Sequence, residues 1–360
     1  MFVGCAALTF CPRKLALPDP ADIDGAGTTG PGVDQYRSPF RSWDTRATVR
    51  QAERRVLSEG ADDGRFFFPP ELVPVTRHPL VQALPPEVFD SLLVQHLYRF
   101  LDFTAKLETL VVNRTVLGIA HGSVGIDVPE EMRFDAYKIY CDEAYHALFS
   151  VDLARQVTDR TGIAPRLPAQ PFFLQRLSAV LEDLAPAERP LAELLFVIVS
   201  ETLITAYLAD VPAADSVEPA VRATIRDHAI DEGRHHAYFA VFLRYLWGQL
   251  DRAQRRRAAL LVPRLIDAFV RPDTAAMTAE LTGYGLSRQQ AEQVVAEIYT
   301  PDILRAHAAG TARQTVAYLR ELEAFGDPAV IDECHRYGLL PDMPAGTVVG
   351  APAVAAERST

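Results

Sequence analysis

The pattern Asp-Glu-x-x-His occurs twice in this chain, at Asp142-Glu143-Ala144-Tyr145-His146 and at Asp231-Glu232-Gly233-Arg234-His235. Residues three, four and seven apart share one face of an α-helix, so each Glu projects beside its His. In the second copy His228 stands one turn before Glu232, and the stripe reads imidazole, carboxylate, imidazole. Such a stripe is a metal-binding edge. One Glu-x-x-His pair would be an ordinary solvated pair on a helix surface; two constrain the fold, because both helices must turn the stripe toward a shared interior.

Two more acids sharpen the constraint. Glu108 lies in Leu107-Glu108-Thr109-Leu110-Val111-Val112, and Glu201 follows Phe196-Val197-Ile198-Val199-Ser200. A carboxylate buried without a partner in such a run costs several kcal/mol, so each needs a proton or a cation. Four helices that supply Glu, Glu-x-x-His, Glu and Glu-x-x-His are the recipe for a di-iron or di-manganese carboxylate centre inside a bundle. The candidate metal ligands are therefore Glu108, Glu143, His146, Glu201, His228, Glu232 and His235. Asp142 and Asp231 precede the paired glutamates and are the candidates to hold the outward imidazole nitrogens. His236 is rotated off the stripe, and Cys141 aims at another face. Oxygen and nitrogen donors without sulfur suit iron or manganese better than structural zinc.

Along the chain, residues 12–40 are rich in Gly, Pro, Asp and Thr and read as an irregular arm, followed by a short helix over 42–57. Phe66-Phe67-Phe68-Pro69-Pro70 cannot be a regular helix, and its phenylalanines are expected to strap the bundle. His78, followed by Pro79, reads as structural. Helices are expected from Glu87 to about Ile119, 127–161, 172–184, 186–208 and 217–250, then over 251–270, 273–282, 287–299 and 302–325. Little reads as strand, because Val and Ile fall at helical spacing. The expected division is an N-terminal arm over 1–60, a helical domain over 61–340 and a C-terminal tail over 341–360.

With 360 residues, 49% of them hydrophobic, the chain can bury a sizeable core. Its net charge of -11 argues against a general nucleic-acid or anionic-membrane binder. Four scattered cysteines form neither a disulfide scaffold nor a Cys-x-x-Cys knuckle. No secretory signal or membrane-spanning run is legible, and a reducing cytoplasm is the expected setting.

The ligand set, with Asp-Glu-x-x-His twice and the extra His228, resembles the p-aminobenzoate N-oxygenase family of ferritin-like di-iron enzymes, from about Val73-Pro74 to about Leu322. The resemblance implies an all-α, ferritin-like bundle with the centre in a four-helix core and further C-terminal helices. It implies two iron ions bridged by Glu143 and Glu232, with Glu108 and His146 on one and Glu201, His228 and His235 on the other. O2 and an external electron donor would form a peroxo-bridged species. This would oxidise an amine, typically an arylamine, to a hydroxylamine, nitroso or nitro product in a biosynthetic pathway. Arg313 is the residue the resemblance offers for a substrate acid, and Phe100, Thr104, Tyr207 and Phe269 for the pocket wall. An electron-donor reductase and a homodimer are the partners it implies. Two other readings stay open from the residues: a di-iron hydroxylase or desaturase acting on carbon, and a ferritin-like iron-binding protein.

Overall fold

The computed structural model describes residues 36–58 and 64–340, except for the side chains of Ala206 and Tyr207. The first part of the arm and the tail after Leu340 lie outside the described residues. Among the described residues fourteen α-helices follow one another. Two single-turn helices, α1 (Trp43–Arg46) and α2 (Thr48–Gln51), lead into an extended stretch. The single helix expected over 42–57 is thus two short ones, separated where Ala47 takes an extended backbone. After α3 (Pro79–Gln82) come the core helices α4 (Pro86–Leu107), α5 (Asn113–Ala120) and α6 (Glu130–Thr161). Then α7 (Phe172–Glu182) leads to α8 (Arg189–Leu208) and α9 (Pro219–Gln249). The remainder is α10 (Arg252–Val270), α11 (Thr274–Gly283), α12 (Arg288–Ile298), α13 (Pro301–Glu321) and α14 (Pro328–Arg336). Among the described residues there is no strand, only an isolated bridge between Phe66 and Val217.

The boundaries follow local chemistry. Prolines open α4, α8, α9 and α13 in their first turns, where a missing N–H costs nothing. Gly162 ends α6 in the left-handed conformation. Asp251 and Ser287 cap α10 and α12 through reciprocal capping boxes. The continuous helix expected from Glu87 to Ile119 is interrupted: Glu108–Val112 forms one π-helical turn between α4 and α5. A π turn is an inserted residue, frequent at functional sites, and this one begins at a candidate ligand. Thr109 Oγ1 donates to the Ala105 carbonyl at 2.6 Å within it.

The line α4–π turn–α5 packs with α6, and α8 packs with α9; α6 against α9 closes a four-helix core. From Ala192 to Leu203 the inner helix α8 is buried at nearly every position, which is the pattern of a helix apolar on all sides. The later helices α10 and α13 cover its remaining faces. The proline-rich strap does cross the bundle: Phe68 is buried, and its ring lies 4.6 Å from His96 and 5.8 Å from Phe100 on α4. His78 caps α3 by accepting the Leu80 N–H on Nδ1, and its Nε2 lies 3.1 Å from Glu297.

Candidate metal centre

Each core helix delivers its acid to the same interior point. Glu108 comes from the π turn, Glu143 and His146 from α6, Glu201 from α8, and His228, Glu232 and His235 from α9. All seven are at most 2% exposed. Two overlapping groups form: Glu143, His146, His228 and Glu232, and Glu143, Glu201, Glu232 and His235, with the ligand atoms of each within 4.8 Å of one another. Glu143 and Glu232 belong to both. Glu232 Oε1 is approached by all three imidazoles, His228 Nε2 at 3.0 Å, His235 Nδ1 at 3.3 Å and His146 Nδ1 at 3.5 Å. Glu108 Oε1 joins the first group through His228 Nε2 at 3.7 Å, and Glu201 Oε2 lies 3.9 Å from His235 Nδ1 in the second.

His228 groups with His146, their rings 4.2 Å apart, where the resemblance implied a place with Glu201 and His235. The reason is position on α9: one turn before Glu232, His228 lies level with Glu108 and His146, whereas His235 lies on the other side of Glu232.

Electrostatics test whether this set fits cations. Among the described residues no Lys or Arg pairs with any of the four glutamates; their only charged partners are imidazoles. Burial, reinforced by the neighbouring carboxylates, holds the Glu108 and Glu201 carboxyls well above the usual range. Burial also works against Glu143 and Glu232, yet the adjacent imidazoles, His235 foremost, keep both below it. Glu143 Oε1 and His235 Nδ1 approach to 2.8 Å without hydrogen-bond alignment. Glu108, Glu201 and Glu232 each keep a buried oxygen with no hydrogen bond. Buried acceptors that converge and are not bonded to one another are what a shared positive charge requires. The donor set of carboxylate oxygen and imidazole nitrogen fits iron or manganese.

An outer layer orients the imidazoles, and it is wired crosswise. His146 of α6 places Nε2 3.1 Å from Asp231 of α9, and His235 of α9 places Nε2 3.2 Å from Asp142 of α6. Residues 36–58 complete this layer, which sequence reasoning missed in treating them as part of an irregular arm. Trp43 Nε1 donates to both oxygens of Asp142 at 2.9 Å. The Thr48 backbone N–H donates to Asp231 at 3.3 Å, and its hydroxyl and the Arg234 guanidinium donate to the same carboxylate. Phe40 stacks on His235 with ring centroids 5.9 Å apart, and Phe149 meets His146 and His228 at 5.4 and 5.9 Å. A tryptophan and a threonine five residues apart carry no period that announces these roles.

A family profile described as P-aminobenzoate N-oxygenase AurF matches residues 38–323 of the chain. The chain belongs to the p-aminobenzoate N-oxygenase family. The match begins inside the stretch that carries Phe40, Trp43 and Thr48, so the family region includes the outer layer as well as the ligand helices. A relative in this family, the 4-aminobenzoate N-oxygenase of Streptomyces thioluteus, is 28% identical over 277 residues, covering 75% of this chain and 79% of the relative. The chain has the all-α, ferritin-like bundle that the resemblance implied.

The residues expected at the family's substrate pocket scatter. Thr104 is buried one turn before Glu108 with its hydroxyl unpartnered, and Phe100 is half-buried on the same face. Phe269 is buried against Phe103 and Phe196, in the aromatic core between α4, α8 and α10. The Tyr207 side chain lies outside the described residues. Arg313 is exposed on α13. The inward positions of its turn belong to Ala312 and Thr315, and Thr315 bonds Thr202, next to Glu201, at 2.8 Å.

Proposed function

We propose that this chain is a di-iron N-oxygenase that oxidises an amine, an arylamine in the first instance. The observation that carries the proposal is the pair of four-residue groups sharing Glu143 and Glu232, buried in a bundle whose family is named for N-oxygenation. The ligands would be Glu108, His146 and His228 toward one iron, Glu201 and His235 toward the other, with Glu143 and Glu232 between them. Two ferrous ions held there would supply the electrons that activate O2 toward a bound amine nitrogen.

The protein's own residues prepare that chemistry. Asp142 and Asp231 hold the outward nitrogens of His235 and His146, so that the inward nitrogens stay available as donors. The buried walls exclude water, which keeps the oxidant for the substrate. On α4, His96, Phe100 and Thr104 lie at four-residue intervals ending at Glu108, and we assign the amine's approach to this face. Burial holds the His96 imidazole neutral, its pKa pushed down to about 3, and Phe68 covers it. A neutral, aromatic-walled approach suits an uncharged aromatic amine. Oxidation to the hydroxylamine consumes one O2, two electrons and two protons and releases one water; an external reductant supplies the electrons, and repetition leads to nitroso and nitro products.

The test is anaerobic loading with ferrous iron, metal analysis, and turnover of aryl and alkyl amines with O2 and a reductant. About two irons per chain and an N-oxygenated arylamine are expected. Fewer metals in a fully reconstituted sample removes the centre. Carbon hydroxylation or growth of a mineral core from a loaded protein favours the carbon-oxidising or iron-storing readings instead.

A further inference from the structure

The seam between α6 and α9 carries a pocket that an approach along α4 does not use. Residues 48–58 lie across this seam: α2 packs on both helices, and the extended stretch after it is tied to each in turn. Arg54 donates to Asp152 of α6 at 2.9 and 2.8 Å, and Arg55 donates to Asp227 of α9 at 2.7 and 3.1 Å. Gln156 of α6 donates to the Arg55 carbonyl at 2.9 Å and accepts the Leu57 N–H at 3.0 Å. Between this crossing segment and the two helices lies a pocket of about 220 Å³.

Its lining is graded from solvent to the metal centre. Leu148 is exposed at the mouth, Phe149 is half-buried, and Thr224 is buried with its hydroxyl donated to the Ala220 carbonyl at 2.9 Å. The accessible wall is mostly carbon, and Asp152 and Asp227 are already paired with the arginines. Phe149 both lines the pocket and packs on the centre, its ring centroid 5.4 Å from that of His146 and 5.9 Å from that of His228. One aromatic ring therefore stands between the pocket and two members of one ligand group. In size the pocket exceeds the roughly 150 Å³ of an apolar cavity that stays dry and takes up xenon.

We propose that dioxygen enters through this pocket and reaches the His146 and His228 side of the centre past the Phe149 ring, apart from the amine. The inference rests on the di-iron reading above and adds to it a separate entrance for the gas. An uncharged, apolar diatomic molecule gains by leaving water for a carbon wall and needs no hydrogen bond there. An amine gives up its hydration and finds both carboxylates already paired. Rotation of one half-buried ring opens a gap for two atoms sooner than for an aromatic amine. With the amine seated on the α4 side, the gas still has an open way in.

Crystals of the iron-loaded full chain under xenon pressure are expected to hold xenon against Leu148, Phe149 and Thr224. Xenon absent from that position overturns the inference. Stopped-flow mixing of the ferrous-loaded chain with O2, without amine, supplies the second readout. Thr224→Leu, which fills the inner space, and Leu148→Trp, which narrows the mouth, each lower the second-order rate of iron oxidation at least about tenfold, with the metal content unchanged. Val151→Trp, on the same helix but outside the pocket, leaves that rate at the parent's value. A loaded chain whose rate ignores both pocket substitutions, or responds equally to Val151→Trp, overturns the entrance alone. A parent chain that fails to load iron overturns the entrance together with the centre.

Discussion

At the scale of single residues, the centre depends on groups that never touch a cation. Trp43 Nε1 is the donor that holds Asp142 against His235. Trp43→Phe keeps the ring but removes that donor, and an iron titration is expected to show about 10–100-fold weaker binding with the helical spectrum intact. Thr48→Val acts on Asp231 and His146 in the same sense, and by less, because the Thr48 backbone N–H and Arg234 still donate. His228→Ala is expected to lower occupancy of the group that contains Glu108 and His146, while the Glu201 and His235 group retains its metal. Full occupancy of both groups in that variant would reduce His228 to a packing residue against Phe149.

Elements bring a different lesson. Periodicity places a carboxylate and two imidazoles on one stripe of α9, and that stripe is buried as a unit because the same period sets what the helix turns inward. It does not reveal a break in the ladder, so periodicity predicts uninterrupted helix across the π turn at Glu108–Val112. Leu110, half-exposed in that turn, is the residue to delete. The expected product is a regular helix in which Glu108 is turned out of register, with normal folding by circular dichroism and at least about tenfold weaker binding of the first metal. A deletion variant that loads two irons like the parent would make the π turn incidental.

For the whole molecule, four buried carboxylates are a strain that cations relieve. Chelation of the loaded protein is expected to lower its Tm, and reloading to restore it. A free-metal concentration a hundred times Kd is worth about 2.7 kcal/mol. Melting that is indifferent to metal would mean the acids are neutralised by protons alone. No helix among the described residues is long and apolar enough to cross a membrane.

The sequence by itself determined which candidate ligands are brought together, the helices that bear them and the all-α class, because all of these depend on contacts three, four and seven residues apart. Only the tertiary structure decided which imidazole joins which carboxylates. It also recruited residues 36–58 to the centre, since Trp43 reaches Asp142 across 99 residues and Thr48 reaches Asp231 across 183. The same holds for Arg313, whose motif was legible but whose direction depends on how α13 lies against α8. Helical period is written locally in a chain, whereas the pairing of distant faces is set by packing and by which buried charges must find partners.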